Sequence, residues 1–146
     1  RIRLDDLDLF IDEAVIAKMQ RLRKAHQPKE TGGILLGYHD QNIGAIVVVD
    51  AMAAPADSVS TEGSFERGVQ GVADAASEAH RRTAAVAGYI GEWHSHPPGY
   101  RSDPSSDDFY QLAYLALGLS HDGLPAVSLI VAEKGELQVL KASVRS

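Results

Sequence analysis

The chain has 146 residues, 45% of them hydrophobic and 23% charged, a balance ordinary for a soluble globular domain. It has no cysteine, which excludes thiol nucleophiles, disulfides and thiolate-bound zinc and suits a reducing cytoplasm, the expected location. The formal charge of −6, with basic runs only at 21–24 and 81–82, disfavours nucleic-acid binding, and no apolar run reaches the roughly 18 residues of a membrane span.

In chain order, Asp12 is placed to cap a helix running to about His26, with Val15, Met19 and Leu22 at helical spacing. Ile11 and Ile16 stand where a hydrophobic staple closes around such a cap, and Pro28 stops the helix. Residues 33–38 and 43–50 read as strands joined by the polar turn 39–42. Residues 53–64 are small, polar and contain proline, the pattern of a surface loop. Ser64 is placed to cap a second helix in which Phe65, Val69, Val72 and Ala76 share a face. Arg81 and Arg82 would end it favourably for the helix dipole. A strand follows over 86–94, then a turn-rich loop over 97–104. A third helix begins at Ser105, with Phe109, Leu112, Ala113 and Ala116 facing inward. Strands over 126–132 and 136–141 close the chain as a hairpin across 133–135. The expected fold is α+β: one mixed sheet with about three helices packed on it. We read residues 1–146 as a single domain, and its opening on Arg1 and not Met is compatible with excision from a longer chain.

The chemistry concentrates in Glu92-Trp93-His94-Ser95-His96-Pro97-Pro98-Gly99, at the end of a strand. Alternate residues of a strand share a face, so His94 and His96 project together. Two such imidazoles can hold one zinc ion, each at roughly 2.0–2.1 Å. A third ligand is available from Pro104-Ser105-Ser106-Asp107-Asp108, a helix start. Ser105 and Asp108 also fit a capping box, which does not conflict with ligation by a carboxylate mounted on a first turn. Asp108 precedes Leu112 by one helical turn and so faces inward, whereas Asp107 shares a face with Gln111; Asp108 is the better ligand. Three protein ligands leave the fourth tetrahedral position to water, whose pKa zinc lowers from 15.7 to about 7. The accompanying base is either Glu92, on the face of His94, or Glu30, where the chain enters a strand; spacing does not choose between them.

Glu30-Thr-Gly-Gly-Ile-Leu-Leu-Gly, then His94-Ser95-His96-Pro97, then Ser105-x-x-Asp108, closely resembles the signature of the JAMM (JAB1/MPN/Mov34) metalloproteases. Tyr89-Ile-Gly-Glu-Trp-His-Ser-His-Pro is similar to the bacterial JAB-domain branch in particular. The resemblance spans nearly the whole chain. It implies the JAB/MPN fold, a cytidine-deaminase-like central mixed sheet flanked by helices. It also implies one Zn2+ held by His94, His96 and Asp108, with Glu30 as general acid/base and Ser105 stabilising the oxyanion; Glu92 inherits no role. Ser105 stands one residue further from His96 than is usual in the family, so a strict count would make Asp107 the ligand. An insertion within 98–103 keeps Pro-Ser-x-x-Asp intact and retains Asp108. The implied activity is hydrolysis of an isopeptide or peptide bond after the tail of a ubiquitin-like protein. Bacterial relatives of this type are often encoded with, or fused to, activating and conjugating-like enzymes, including in antiviral operons, and such proteins would be partners.

Other conspicuous residues carry less. His26, His39, His80 and His121 fall near helix ends or turns and read as surface residues. Trp93 faces away from the histidines, toward a core. The charges at 21–24 read as the wet face of the first helix, and Gly32, Gly33 and Gly37 lack the Gly-Lys-Ser/Thr of a phosphate loop. Two rival functions share the fold: a scaffold, which would usually lack a metal ligand, and a hydrolase of sulfur-carrier proteins or small peptides. Nucleobase deaminases need Cys-x-x-Cys, and barrel amidohydrolases need far more chain.

Overall fold

The computed structural model describes residues 1–4, 6–97, 99, 108 and 126–142. Among these, seven strands form one mixed sheet in the order β1-β2-β4-β3-β7-β8-β9, and β5 with β6 forms a separate hairpin. The strands are β1 (Ile2–Arg3), β2 (Asp8–Ile11), β3 (Gly32–Asp40), β4 (Ala45–Ala51), β5 (Val59–Ser60), β6 (Phe65–Glu66), β7 (Gly88–Ser95), β8 (Ala126–Val131) and β9 (Leu137–Ala142). Helix α1 spans Glu13–His26 and α2 spans Val72–Arg82. The mixed α+β architecture is the expected one. No helix of the described residues is long and apolar enough to cross a membrane.

Helix α1 forms where its signals stand. The Asp12 side chain accepts a hydrogen bond from the Ala14 N–H at 2.8 Å, and Ile11 and Ile16 both pack against the core around this cap. Val15 and Met19 are buried against a cluster that includes Leu9, Leu35, Ile46, Val48, Trp93, Val127, Leu129 and Val131. The alternation of β4 and β7 puts these side chains on the α1 face of the sheet. Arg23 departs from the sequence reading: it is only 4% exposed, not on a wet face. Its Nε donates to Gln20 Oε1 at 2.8 Å, and Gln20 Nε2 donates in turn to the Ala132 carbonyl at 3.0 Å.

The region between β4 and α2 also departs. Residues 53–64 are not simply a loop, because β5 lies within them, and Ser64 caps no helix. It lies in the turn of the β5–β6 hairpin, where its hydroxyl is 2.8 Å from that of Thr61. Phe65 lies in β6 and Val69 precedes α2, in a segment where the Asp57 carboxylate accepts from the Val69 and Gln70 N–H groups at 3.0 and 2.9 Å. Helix α2 starts only after Gly71, whose φ of 80° glycine adopts without strain. The strands β1 and β2 had no expectation attached. Of the expected third helix, only Asp108 is among the described residues, and it is helical.

Two irregularities matter for the site. Antiparallel β3 pairs with β7 from Gly32↔His94 to Leu35↔Gly91, then shifts so that Leu36 faces Tyr89, leaving Ile90 as an extra residue. Parallel β8 flanks the other side, with His94↔Ile130 and Ser95↔Val131. The histidine-bearing strand is thus held on both edges, inside the sheet.

Candidate metal centre

His94 is the penultimate residue of β7, and His96 lies just beyond its end with its N–H donating to the Val131 carbonyl at 2.9 Å. Ladder bonding to β8 therefore continues through the second histidine and keeps both imidazoles on one face. Their ring centroids are 5.3 Å apart. The Asp108 carboxylate reaches both: Oδ1 is 2.9 Å from His94 Nε2, and Oδ2 is 3.2 Å from His96 Nε2. All three residues are buried, and their ligand atoms lie within 4.8 Å of one another.

The donor set fits a divalent metal. Ligands at roughly 2.0–2.1 Å from one tetrahedral zinc sit about 3.3 Å from each other, close to both carboxylate–imidazole separations. His94 Nε2 is buried and close to Asp108, yet it makes no aligned hydrogen bond. A buried nitrogen oriented past its nearest carboxylate is costly unless it serves a shared point. These three residues are the group of metal-ligating type that the described residues bring together.

Glu30 stands beside this group and outside it. Its Oε1 is 4.0 Å from His96 Nε2, and the side chain is buried. Burial raises its carboxyl pKa above the ordinary range, and Asp108 adds to that while the two histidines oppose it. The segment holding Glu30 is stitched to the histidine strand by Ser95. The Thr31 N–H donates to Ser95 Oγ at 2.9 Å, and the Ser95 N–H donates to the Thr31 carbonyl at 2.7 Å. Sequence reasoning gave Ser95 no role. Its one signal was a small hydroxyl between two ligands, pointing to the opposite face. Gly32 follows for a steric reason: a Cβ there would lie 2.2 Å from the Trp93 carbonyl oxygen, so only glycine lets β3 close on β7 beside His94.

Glu92 does share the His94 face but turns to other partners. Arg67 Nε donates to its Oε1, and the Tyr89 hydroxyl donates to its Oε2. Burial pushes the Glu92 carboxyl up, against the hydrogen bonds from Tyr89 and Arg67. Trp93 packs in the core as expected, its indole N–H donating to the Met52 carbonyl at 2.8 Å. His26 and His80 are exposed as expected. His39 is not a plain surface residue: it is half-buried, and that burial lowers its pKa. Ser105, Asp107 and His121 lie outside the described residues.

A mixed sheet whose interior strand ends in paired imidazoles, met by a helical carboxylate, defines an α+β protein with a side-chain group of the kind that can hold a metal ion. The family follows from comparison: the chain belongs to the prokaryotic homologs of the JAB domain, matched over residues 12–143. It is 36% identical over 102 residues to a CD-NTase/cGAS isopeptidase of Enterobacter hormaechei subsp. hoffmannii (strain UCI 50), covering 70% of this chain and 54% of that protein. It is 28% identical over 101 residues to the probable metalloprotease y4qB of Sinorhizobium fredii (strain NBRC 101917 / NGR234), covering 68% of this chain and 60% of that one. The chain thus spans little more than half the length of these curated relatives. The solution structure of protein DSY2949 from Desulfitobacterium hafniense shares the fold, with a TM-score of 0.59 at 18% identity over 94% of this chain and 91% of that one.

Proposed function

We propose that this chain is a single zinc-dependent peptidase domain that hydrolyses the amide or isopeptide bond after the tail of a ubiquitin-like protein. The observation that carries the reading is the convergence of His94, His96 and Asp108, with the Glu30 carboxylate 4.0 Å from His96 Nε2. The relatives named isopeptidase and metalloprotease support the reaction class, and the first of them supports a protein conjugate as substrate.

His94, His96 and Asp108 would hold the metal. Zinc bound there would supply Lewis acidity, for polarising a carbonyl and for lowering the pKa of water toward neutral. Glu30 stands beside this ligand group, its Oε1 4.0 Å from His96 Nε2. It takes the proton of the attacking water and returns it to the leaving amine, which is a lysine Nζ if the bond is an isopeptide. Burial suits Glu30 to the first half of this exchange, because a carboxylate whose pKa lies above the ordinary range takes a proton from water more readily. Ser105 takes the oxyanion role that the family resemblance implies.

Glu30→Gln tests the assignment. The variant should bind zinc stoichiometrically by elemental analysis while cleavage of a ubiquitin-like–peptide fusion falls by about 10²–10⁴-fold. A chelator should abolish wild-type cleavage. If Glu92→Gln gives that phenotype and Glu30→Gln does not, Glu92 is the base; a wild type that takes up no zinc returns the chain to the scaffold class.

A further inference from the structure

The β5–β6 hairpin touches the catalytic end of the sheet through three residues that no part of the proposed chemistry uses. The Thr61 carbonyl accepts the Glu30 N–H at 2.9 Å. The Phe65 ring lies against β3, where a Cβ on Gly32 would be 2.8 Å from its Cε2. Arg67, just past β6, reaches across to β7 and ion-pairs with Glu92. The hairpin is also braced from within. Asp57 accepts from Val69 and Gln70, Ser58 Oγ accepts from the Gly68 N–H at 2.9 Å, and Arg67 Nη1 donates to the Gly68 carbonyl at 2.7 Å. A braced unit moves as one body, so a tie at Arg67 is felt at Thr61.

The Glu92 end is equally prepared. Residues three apart on a regular strand face opposite ways. The extra residue at Ile90 returns Tyr89 to the side of Glu92, where its hydroxyl fills the second carboxylate oxygen. Both Glu92 oxygens are thereby occupied, one by each partner. Arg67 and Glu92 are about a quarter exposed (24% and 25%), sheltered enough for the single Nε–carboxylate contact to hold a fixed geometry while Nη1 is held by the Gly68 carbonyl.

The geometry points to Arg67 and Glu92 as a positioning pair that latches the β5–β6 hairpin onto β7, so that the Thr61 carbonyl fixes the backbone of Glu30 beside the metal group. This rests on the proposed role of Glu30, and the latch itself can be tested without metal or substrate.

Amide hydrogen exchange reads it directly. In Arg67→Ala the Glu30 N–H, released from Thr61, should exchange about tenfold faster, while the Leu35 N–H in the middle of β3 keeps its wild-type rate. Arg67→Lys keeps the charge and should retain most of the protection. In turnover of the fusion substrate, Arg67→Ala should lower kcat about tenfold with KM within about twofold and zinc content unchanged. The inference is overturned if Glu30 exchange is unmoved in Arg67→Ala, if Leu35 accelerates equally, or if KM alone changes. A wild type that shows no cleavage removes the peptidase reading, and the exchange result still decides the latch.

Discussion

Ser95 sits between two metal-ligand candidates and serves neither of them. Its hydroxyl accepts from Thr31, a residue only 1% exposed, and its own N–H returns to the Thr31 carbonyl. Ser95→Ala leaves the Thr31 N–H buried without a partner, which should cost about 1–3 kcal/mol. Urea unfolding would show this as a lower midpoint at unchanged slope; a variant within error of wild type would mean that the Thr31 amide finds another acceptor. At this scale legibility depended on sequence distance. The His94 and His96 pair is visible because period-two alternation is local, and Asp108 because helix spacing is local too. Arg23 was misread because the chain that buries it is remote: Gln20 relays it to the carbonyl of Ala132. In the sequence only family resemblance separates Glu30 from Glu92; that Arg67 and Tyr89 occupy the Glu92 carboxylate is visible only in the fold.

Among the elements, the β5–β6 hairpin was the least legible and carries a distinct pH signature. Phe65, Val69, Val72 and Ala76 satisfy a helical period, so the pattern alone extended α2 backward over a strand and a turn. The contacts that set this segment apart are not local: the Asp57 carboxylate, twelve and thirteen residues upstream, takes the Val69 and Gln70 amides. Those amides hold its pKa below the ordinary carboxylate value. With the folded pKa depressed, the brace is complete above the unfolded value of about 3.9 and is lost as pH falls through the lower folded value. The Val69 and Gln70 amide resonances should therefore titrate below about pH 3.9 and become insensitive to pH in Asp57→Asn. A midpoint at or above the ordinary value would show that the carboxylate does not hold these amides in solution. Helix α1 was legible from end to end because cap, staple and stripe all lie within sixteen consecutive residues, 11–26.

For the molecule as a whole, the α+β class was readable from the succession of elements, but the sheet order was not. Placing β2 in parallel beside β4, and β7 in parallel beside β8, depends on crossovers that no local pattern encodes. Those crossovers put the end of an interior strand next to a helical carboxylate, so the ligand set exists only in the folded chain. Metal that binds the native state alone stabilises it by RT ln(1 + [L]/Kd), about 2.7 kcal/mol at a hundredfold excess over Kd. For a chain of 146 residues this corresponds to a rise in Tm of about 5–10 °C. Thermal unfolding with added Zn2+ and with chelator should differ by that amount, and the difference should collapse in His96→Ala, whose imidazole is one of the three convergent ligands. Identical melting curves for the wild type in zinc and in chelator would mean that the three side chains converge without taking up metal. Glu30 would then stand beside an ordinary buried ion-pair cluster, and the hydrolytic reading would lose its Lewis acid.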